Sequence, residues 1–353
     1  MTDTGEPMPF RFLASLTVCQ SDIRKITEYA SALPAGGPDP LANLLVTPFT
    51  MSSAAMGLIE GLQRTRGSVV TFDSGGYYVQ SGSFSYHELY YKLLHSYKTH
   101  PWADYFILPD NVPTSADTPE RVWEKVRETV QFSRLFWQEL PTPLRRRAVP
   151  VVHGHSIEQV EYCLSAYLDL DTEVLGFGSF GTGGKNNESN LATQDSVALA
   201  RHVIAVARAH GRRVHLFGLG VPALVPLLHG MGAASFDSST WLKSAGFGQV
   251  HLPFTRSYNI TYRNGRSELQ QGIPWDEFAR LKALSGHECA FCVDQPTLAA
   301  HKMHRALHNL VSIAEAVQMI NNGEFSRIAA IYAAGSPKYR EEFKRWPRRS
   351  STN

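Results

Sequence analysis

The feature that most constrains this chain is a recurrence: short runs of β-forming, largely apolar residues, each closed by a polar residue or glycine and followed by a helical stretch. "LLVTPF", "SVVTFD", "DYFILPD", "AVPVVHG", "EVLGFGS", "RRVHLFGLG" and "AASFDSS" read as strands. They alternate little between apolar and polar, which suits strands covered on both faces and hence a parallel sheet. The helices between them have marked ends. "ADTPERVWEKVRETVQFSRLFWQEL" offers Asp117 as N-cap with Pro119 in the first turn, and "SNLATQDSVALARHVIAVARAHG" stops at Gly211, where a C-cap glycine belongs. Repeated strand–helix units over roughly 250 residues predict an α/β chain folded as a closed (β/α)8 TIM barrel. An open doubly wound sheet would more often begin with a glycine-rich dinucleotide fingerprint, and none precedes an early helix.

Composition narrows the partners. With 353 residues, 19% of them charged, and a net charge of +2, global electrostatics do not draw in a polyanion, so a nucleic acid would have to be held by local patches. No basic segment followed by an apolar run opens the sequence, and no window reaches a membrane span, so a cytoplasmic protein with no membrane partner is expected. Four cysteines are too few and too unevenly spaced for a disulfide scaffold, which agrees with a reducing compartment.

Chemistry-bearing residues fall where strands end. Asp73, Asp110, His153, Gly178 in "GFGSFGTGG", Gly218 and Asp237 all sit at such positions. In a barrel these ends share one rim, so residues distant in sequence converge on one pocket. From about residue 274 the pattern changes to a small C-terminal zinc-binding subdomain. His287, Cys289 and Cys292 form H-x-C-x-x-C, and His308 follows on a helical stretch. Two thiolates and two imidazoles complete a tetrahedral Zn2+ shell with no open position, which reads as structural. His301 and His304 compete for the fourth place. The suggested division is a barrel over 1–273 and about 309–335, a zinc insertion over 274–308, and a basic tail over 336–353.

Taken in order, these motifs resemble the tRNA-guanine transglycosylase superfamily from about residue 40 to 330. "FDSGGYYV" is similar to its D-S-G-G-[FY]-Q segment, "LPDNVP" to F-D-E-C-[TP]-P, "HLFGLG" to Y-L-M-G-V-G, and "SFDSS" to the segment bearing its nucleophile. "HECAFC" with "LHNL" resembles its C-x-C-x-x-C and I-H-N-L zinc site, with His287 in place of the first cysteine. The tRNA-modifying members continue from the nucleophile into a "TRNxRxG" stretch, whereas "SSTWLKSAGFGQV" follows Asp237 here. That departure, and the lack of a C-terminal RNA-binding domain before residue 353, look most like the DpdA-type branch, the DNA-guanine transglycosylases.

The resemblance implies exchange of guanine in DNA for a 7-deazaguanine, 7-cyano-7-deazaguanine foremost, through a covalent glycosyl-enzyme intermediate. It makes Asp237 the nucleophile and Asp73 the general acid/base, the two-carboxylate logic of retaining glycosidases. Asp110 would accept from the N–H edge of guanine, and Tyr77 and Phe217 would stack on the base, although Phe217 suits a core position equally. His153 would stand where a glutamine binds the base carbonyl, and backbone groups of Gly178 and Gly218 would approach the base edge. Asn111 and Val112 replace a Glu-Cys pair. A guanine in duplex DNA must be flipped or single-stranded to reach a buried acid, with helper proteins a possible requirement. Lys185 and Lys243 are the backbone-contact candidates; Arg145 to Arg147 precede a strand and belong to the opposite rim.

Three competing readings stand beside this one. They are a tRNA-guanine transglycosylase, a non-catalytic nucleic-acid-binding barrel, and an amidohydrolase-like metal site on His153 and His155.

Overall fold

The computed structural model describes residues 9–183, 189–261 and 272–335. Lys185 and the basic tail lie outside them. The parallel strands are β1 (Arg11–Ser15), β2 (Asn43–Val46), β3 (Val69–Phe72), β4 (Tyr105–Ile107), β5 (Ala148–Val149 and Val151–Val152), β6 (Val174–Phe177), β7 (Arg213–Leu216) and β8 (Ser235–Ser238). Each pairs with the next, and β8 pairs with β1 in the register Leu13 opposite Asp237. The two pieces of β5 flank Pro150, which has no N–H to give a ladder. The first piece pairs with β4 and the second with β6, so a single chain segment closes the ring.

The α/β barrel expected from the strand runs is therefore present, with one addition. β1 lies in "RFLAS", which the sequence pattern does not flag. Its inward positions are Arg11, Leu13 and Ser15, and a five-residue strand with a charge at one end and a hydroxyl at the other carries little apolar signal.

Two cores explain why the strands look apolar on both faces. Phe12, Leu44, Val70, Phe72, Phe106, Leu175, Phe177, Val214 and Phe236 face the helices. Leu13, Leu45, Ile107, Val149, Val151 and Val174 fill the interior of the ring, with Phe217 packed against them. The apolar plug lies below the rim, and the chemistry-bearing carboxylates stand above it where the strands end.

Helix boundaries follow their caps. The helix Pro119–Glu139 is capped by Thr118, whose hydroxyl accepts from the Arg121 N–H. Asp117, the expected cap, instead accepts from the Thr114 N–H at 2.6 Å and pairs with Lys125 at 2.7 Å. The next long helix starts at Gln194 behind a Thr193 cap, because residues 189–191 form a strand paired with 181–183. After β8 the chain leaves the ring through a short helix, Thr240–Gly246, a two-strand ladder and the helices Trp275–Ser285 and Gln295–Ala300. It returns in Lys302–Asn321, which packs on β1 and on Thr240–Gly246. That helix runs unbroken across 308/309, so His308 stands on an element that also covers the barrel.

Candidate functional site

A cleft of about 890 Å³ opens at the C-terminal ends of the strands. Its lining includes Asp73, Tyr77, Asp110, His153, Gly178, Phe217, Gly218, Asp237 and Lys243. Every base-binding and acid residue expected from the sequence thus faces one space, and so does the one described lysine of the pair proposed for phosphate contacts. Arg145 to Arg147 are used elsewhere: Arg145 donates to Leu140 O and Gln138 O, Arg146 pairs with Glu173, and Arg147 donates to Ala103 O.

The three aspartates have different surroundings. Asp237, buried near the end of β8, accepts the Gly218 N–H on Oδ1 at 2.7 Å and the Ser15 hydroxyl on Oδ2 at 3.3 Å. The ring of His215 stands 3.4 Å from Oδ1 and uses its other nitrogen on Ser235 at 2.8 Å. Asp110 accepts the Ser74 hydroxyl on one oxygen and meets His153 Nε2 at 2.8 Å with the other. Asp73 has no imidazole. Its Oδ2 accepts the Thr47 hydroxyl at 3.1 Å, and Thr47 is in turn fixed by its own N–H to Thr17 Oγ1. Burial, then the negative charges of Asp237 and Asp110, push the Asp73 carboxyl up from 3.8 to about 7 against the lowering effect of Thr47. The cleft leaves Asp73 part-exposed, so a ligand reaches an acid that is half protonated near neutrality.

The Ser-Gly-Gly after Asp73 is a real turn as well. Gly75 has φ of 70°, and a Cβ there would meet the Phe49 ring at 2.6 Å. The chain then enters the short helix Gly76–Gln80, which puts Tyr77 at the cleft wall with Lys243 Nζ 6.0 Å from its ring centre. Phe217 forms the floor, its ring edge-on to His215 at 4.5 Å.

Several expected contacts are redirected. The Gly218 N–H is committed to Asp237, and the Gly178 N–H to Val152 O at 3.3 Å, so neither is free for a ligand edge. Asn111 turns away to Glu128 at 2.7 Å, while Val112 lines the cleft. His153 has both ring nitrogens engaged inside the protein, one by Asp110 and one by Ser179. The supporting groups Ser15, Thr17, Thr47, Ser74, Ser179 and His215 escape sequence reading. A hydroxyl beside a strand end is too common to single out, and only its partner acid gives it meaning.

The second constellation is a cluster of His287, Cys289, Cys292 and His308, whose ligand atoms lie within 4.8 Å of one another; it is the one such group among the described residues. The closest approaches are His287 Nε2 to His308 Nδ1 at 3.0 Å and the two sulfurs at 3.3 Å. A tetrahedral ion with bonds of about 2.0–2.3 Å sets its ligand atoms roughly 3.3–3.8 Å apart, so the cage is close to the required size. The outer nitrogens are also in place. His287 Nδ1 bonds Glu315 at 2.6 Å and His308 Nε2 donates to His251 O at 2.9 Å, which turns the remaining nitrogens inward. Cys292 is held toward its thiolate by the Cys289 thiol and by both imidazoles. The group can hold a metal ion. His304 bonds Thr297 O and stacks on Phe291, and His301 packs edge-on against His304, so both stand outside it. Among the described residues, His153 and His155 belong to no such group.

Among the described residues, no helix is long and apolar enough to cross a membrane. The chain matches no protein-family model and no curated protein.

Proposed function

We propose that the protein is a DNA-guanine transglycosylase that exchanges guanine for a 7-deazaguanine through a covalent intermediate on Asp237. The observation that carries this reading is the pairing of two unlike carboxylates in one cleft: Asp237, held by the Gly218 N–H and the Ser15 hydroxyl, and Asp73, raised to about 7. A carboxylate fixed by two donors beside a carboxyl pushed up to about 7 suits a retaining displacement. An Asp237 oxygen attacks the anomeric carbon while Asp73 protonates the departing guanine nitrogen. The incoming base then attacks the same carbon, its N–H proton passes to Asp73, and Asp237 leaves. Configuration is retained because two inversions occur.

Asp110 gives two carboxylate oxygens to a ligand edge bearing adjacent N–H groups, which guanine has and adenine lacks. Tyr77 and Phe217 supply the aromatic walls, and Lys243 supplies a cation at the mouth. The His/Cys cluster is read as a structural Zn2+ site, because two thiolates and two imidazoles leave no position for a substrate. Reduced thiols serving as ligands suit a cytoplasmic setting.

The test is incubation of the purified protein with radiolabelled guanine or 7-cyano-7-deazaguanine and either single-stranded DNA or tRNA. Label in DNA is the expected result. Label in tRNA alone would transfer the same chemistry to the other polymer, and label in neither would leave a binding barrel.

A further inference from the structure

We propose that His153 is a positioning residue that locks the Asp110 carboxylate and offers no hydrogen bond to the ligand. This deepens the reading above, since it concerns how the same cleft selects its base.

The argument starts from Ser179. Its Oγ accepts the Gly154 N–H at 2.9 Å and keeps its own hydroxyl proton, which His153 Nδ1 at 3.1 Å is placed to accept. A carboxylate only accepts, so the ring proton facing Asp110 Oδ2 at 2.8 Å is on Nε2, and Nδ1 is left to accept from Ser179. The second oxygen of Asp110 is held in the same way. The Gly76 N–H is donated to Ser74 Oγ at 3.2 Å, and the Ser74 hydroxyl is donated to Oδ1. Each carboxylate oxygen therefore ends a short relay that begins at a backbone N–H. His153 is fully buried and Asp110 nearly so, so both rely on these bonds in place of water.

The backbone packs closely on both residues. A Cβ on Gly178 would stand 2.7 Å from His153 Cε1, and a Cβ on Gly76 would stand 2.8 Å from Asp110 Oδ1. Two glycines thus let the backbone approach the pair from either side, and the imidazole is held by its bonds to Asp110 and Ser179. A ligand meets the remaining lone pairs of Asp110, while the His153 N–H is already donated to that carboxylate. Its edge must therefore supply adjacent N–H groups, and its carbonyl gains nothing from His153.

The test is long-range 1H–15N correlation NMR of the histidine rings in the ligand-free protein, with His153 assigned by comparison with His153→Gln. The Nε2–H tautomer with bare Nδ1 is expected. The Nδ1–H tautomer overturns the proposal. Adding guanine gives a second arm: an unchanged tautomer supports it, and transfer of the ring donor to the base overturns it. Calorimetry with guanine then separates positioning from contact. Ser179→Ala, which alters only the support, should weaken binding about 10-fold or more, and His153→Gln should not preserve it. Binding kept by His153→Gln and by Ser179→Ala would mean that residue 153 touches the base. If wild type binds no guanine, the base-exchange reading fails, while the ligand-free tautomer still decides the role of His153.

Discussion

The rim cleft and the His/Cys cluster lie on one barrel but handle their polar groups in opposite ways. In the cluster each imidazole uses its outer nitrogen on a fixed partner, and the inner nitrogens and sulfurs converge within 4.8 Å of one another. Nothing is left over for a substrate. In the cleft each aspartate is only partly satisfied, and the graded support from Asp237 to Asp73 leaves one carboxyl near 7 facing open space. The difference teaches that completeness of hydrogen bonding separates a closed cluster from an open cleft, even where both are buried and rich in titratable groups, and the proposed roles follow that division.

The two regions are mechanically joined. Asn309, one residue after the ligand His308, accepts the His251 N–H and donates to Trp241 O and Gln249 O. It thereby ties the cluster helix to the segment that carries Lys243 and one wall of the cleft.

The largest effect that sharpens this contrast is expected at Asp237, the proposed nucleophile. Asp237→Asn should reduce exchange by roughly 10³-fold or more without loss of metal, measured by label incorporation and elemental analysis. Next comes the cluster. Cys292→Ala should abolish metal retention and cost about 3 kcal/mol or more of stability, on the order of 4 °C or more in Tm. Through Asn309 it should weaken the cleft wall as well. A variant that keeps its metal would break the comparison.

Glu315→Gln should lower metal affinity by about 10- to 100-fold, read by chelator competition, because His287 loses its charged partner while all four ligands remain.

The smallest effect concerns Asp73. Between 3.8 and about 7 the folded chain holds a proton there that the unfolded chain has released. Wild type should therefore lose stability relative to Asp73→Asn as pH rises through that window and level off above it. The difference is on the order of 1–2 kcal/mol once solvent screening of a part-exposed group is allowed for. Parallel stability curves for the two proteins would show that Asp73 is not perturbed.

Much of this was legible in sequence where chemistry and periodicity coincide. Asp73, Asp110 and Asp237 follow strand runs, and H-x-C-x-x-C with His308 states its own spacing. What stayed hidden depends on partners distant in sequence. Glu315 is an ordinary helix acid until His287 meets it, and Ser179 is an ordinary loop serine until His153 does. β1 was masked by polar inward residues, and Thr118 displaced Asp117 as the cap because Lys125 gave the aspartate a different partner. The role expected for His153 changed for the same reason: residue type suggested a donor to ligand, whereas Asp110 claims that donor.

The central claim is that Asp237 forms a bond to the sugar. The most direct measurement is denaturing electrophoresis with mass analysis of protein incubated with guanine-containing single-stranded DNA. A covalent protein–DNA species mapped to Asp237, absent in Asp237→Asn and discharged by added 7-deazaguanine, is the predicted result. Label exchange in DNA with no covalent species under any substrate condition, or with one that persists in Asp237→Asn, would contradict it.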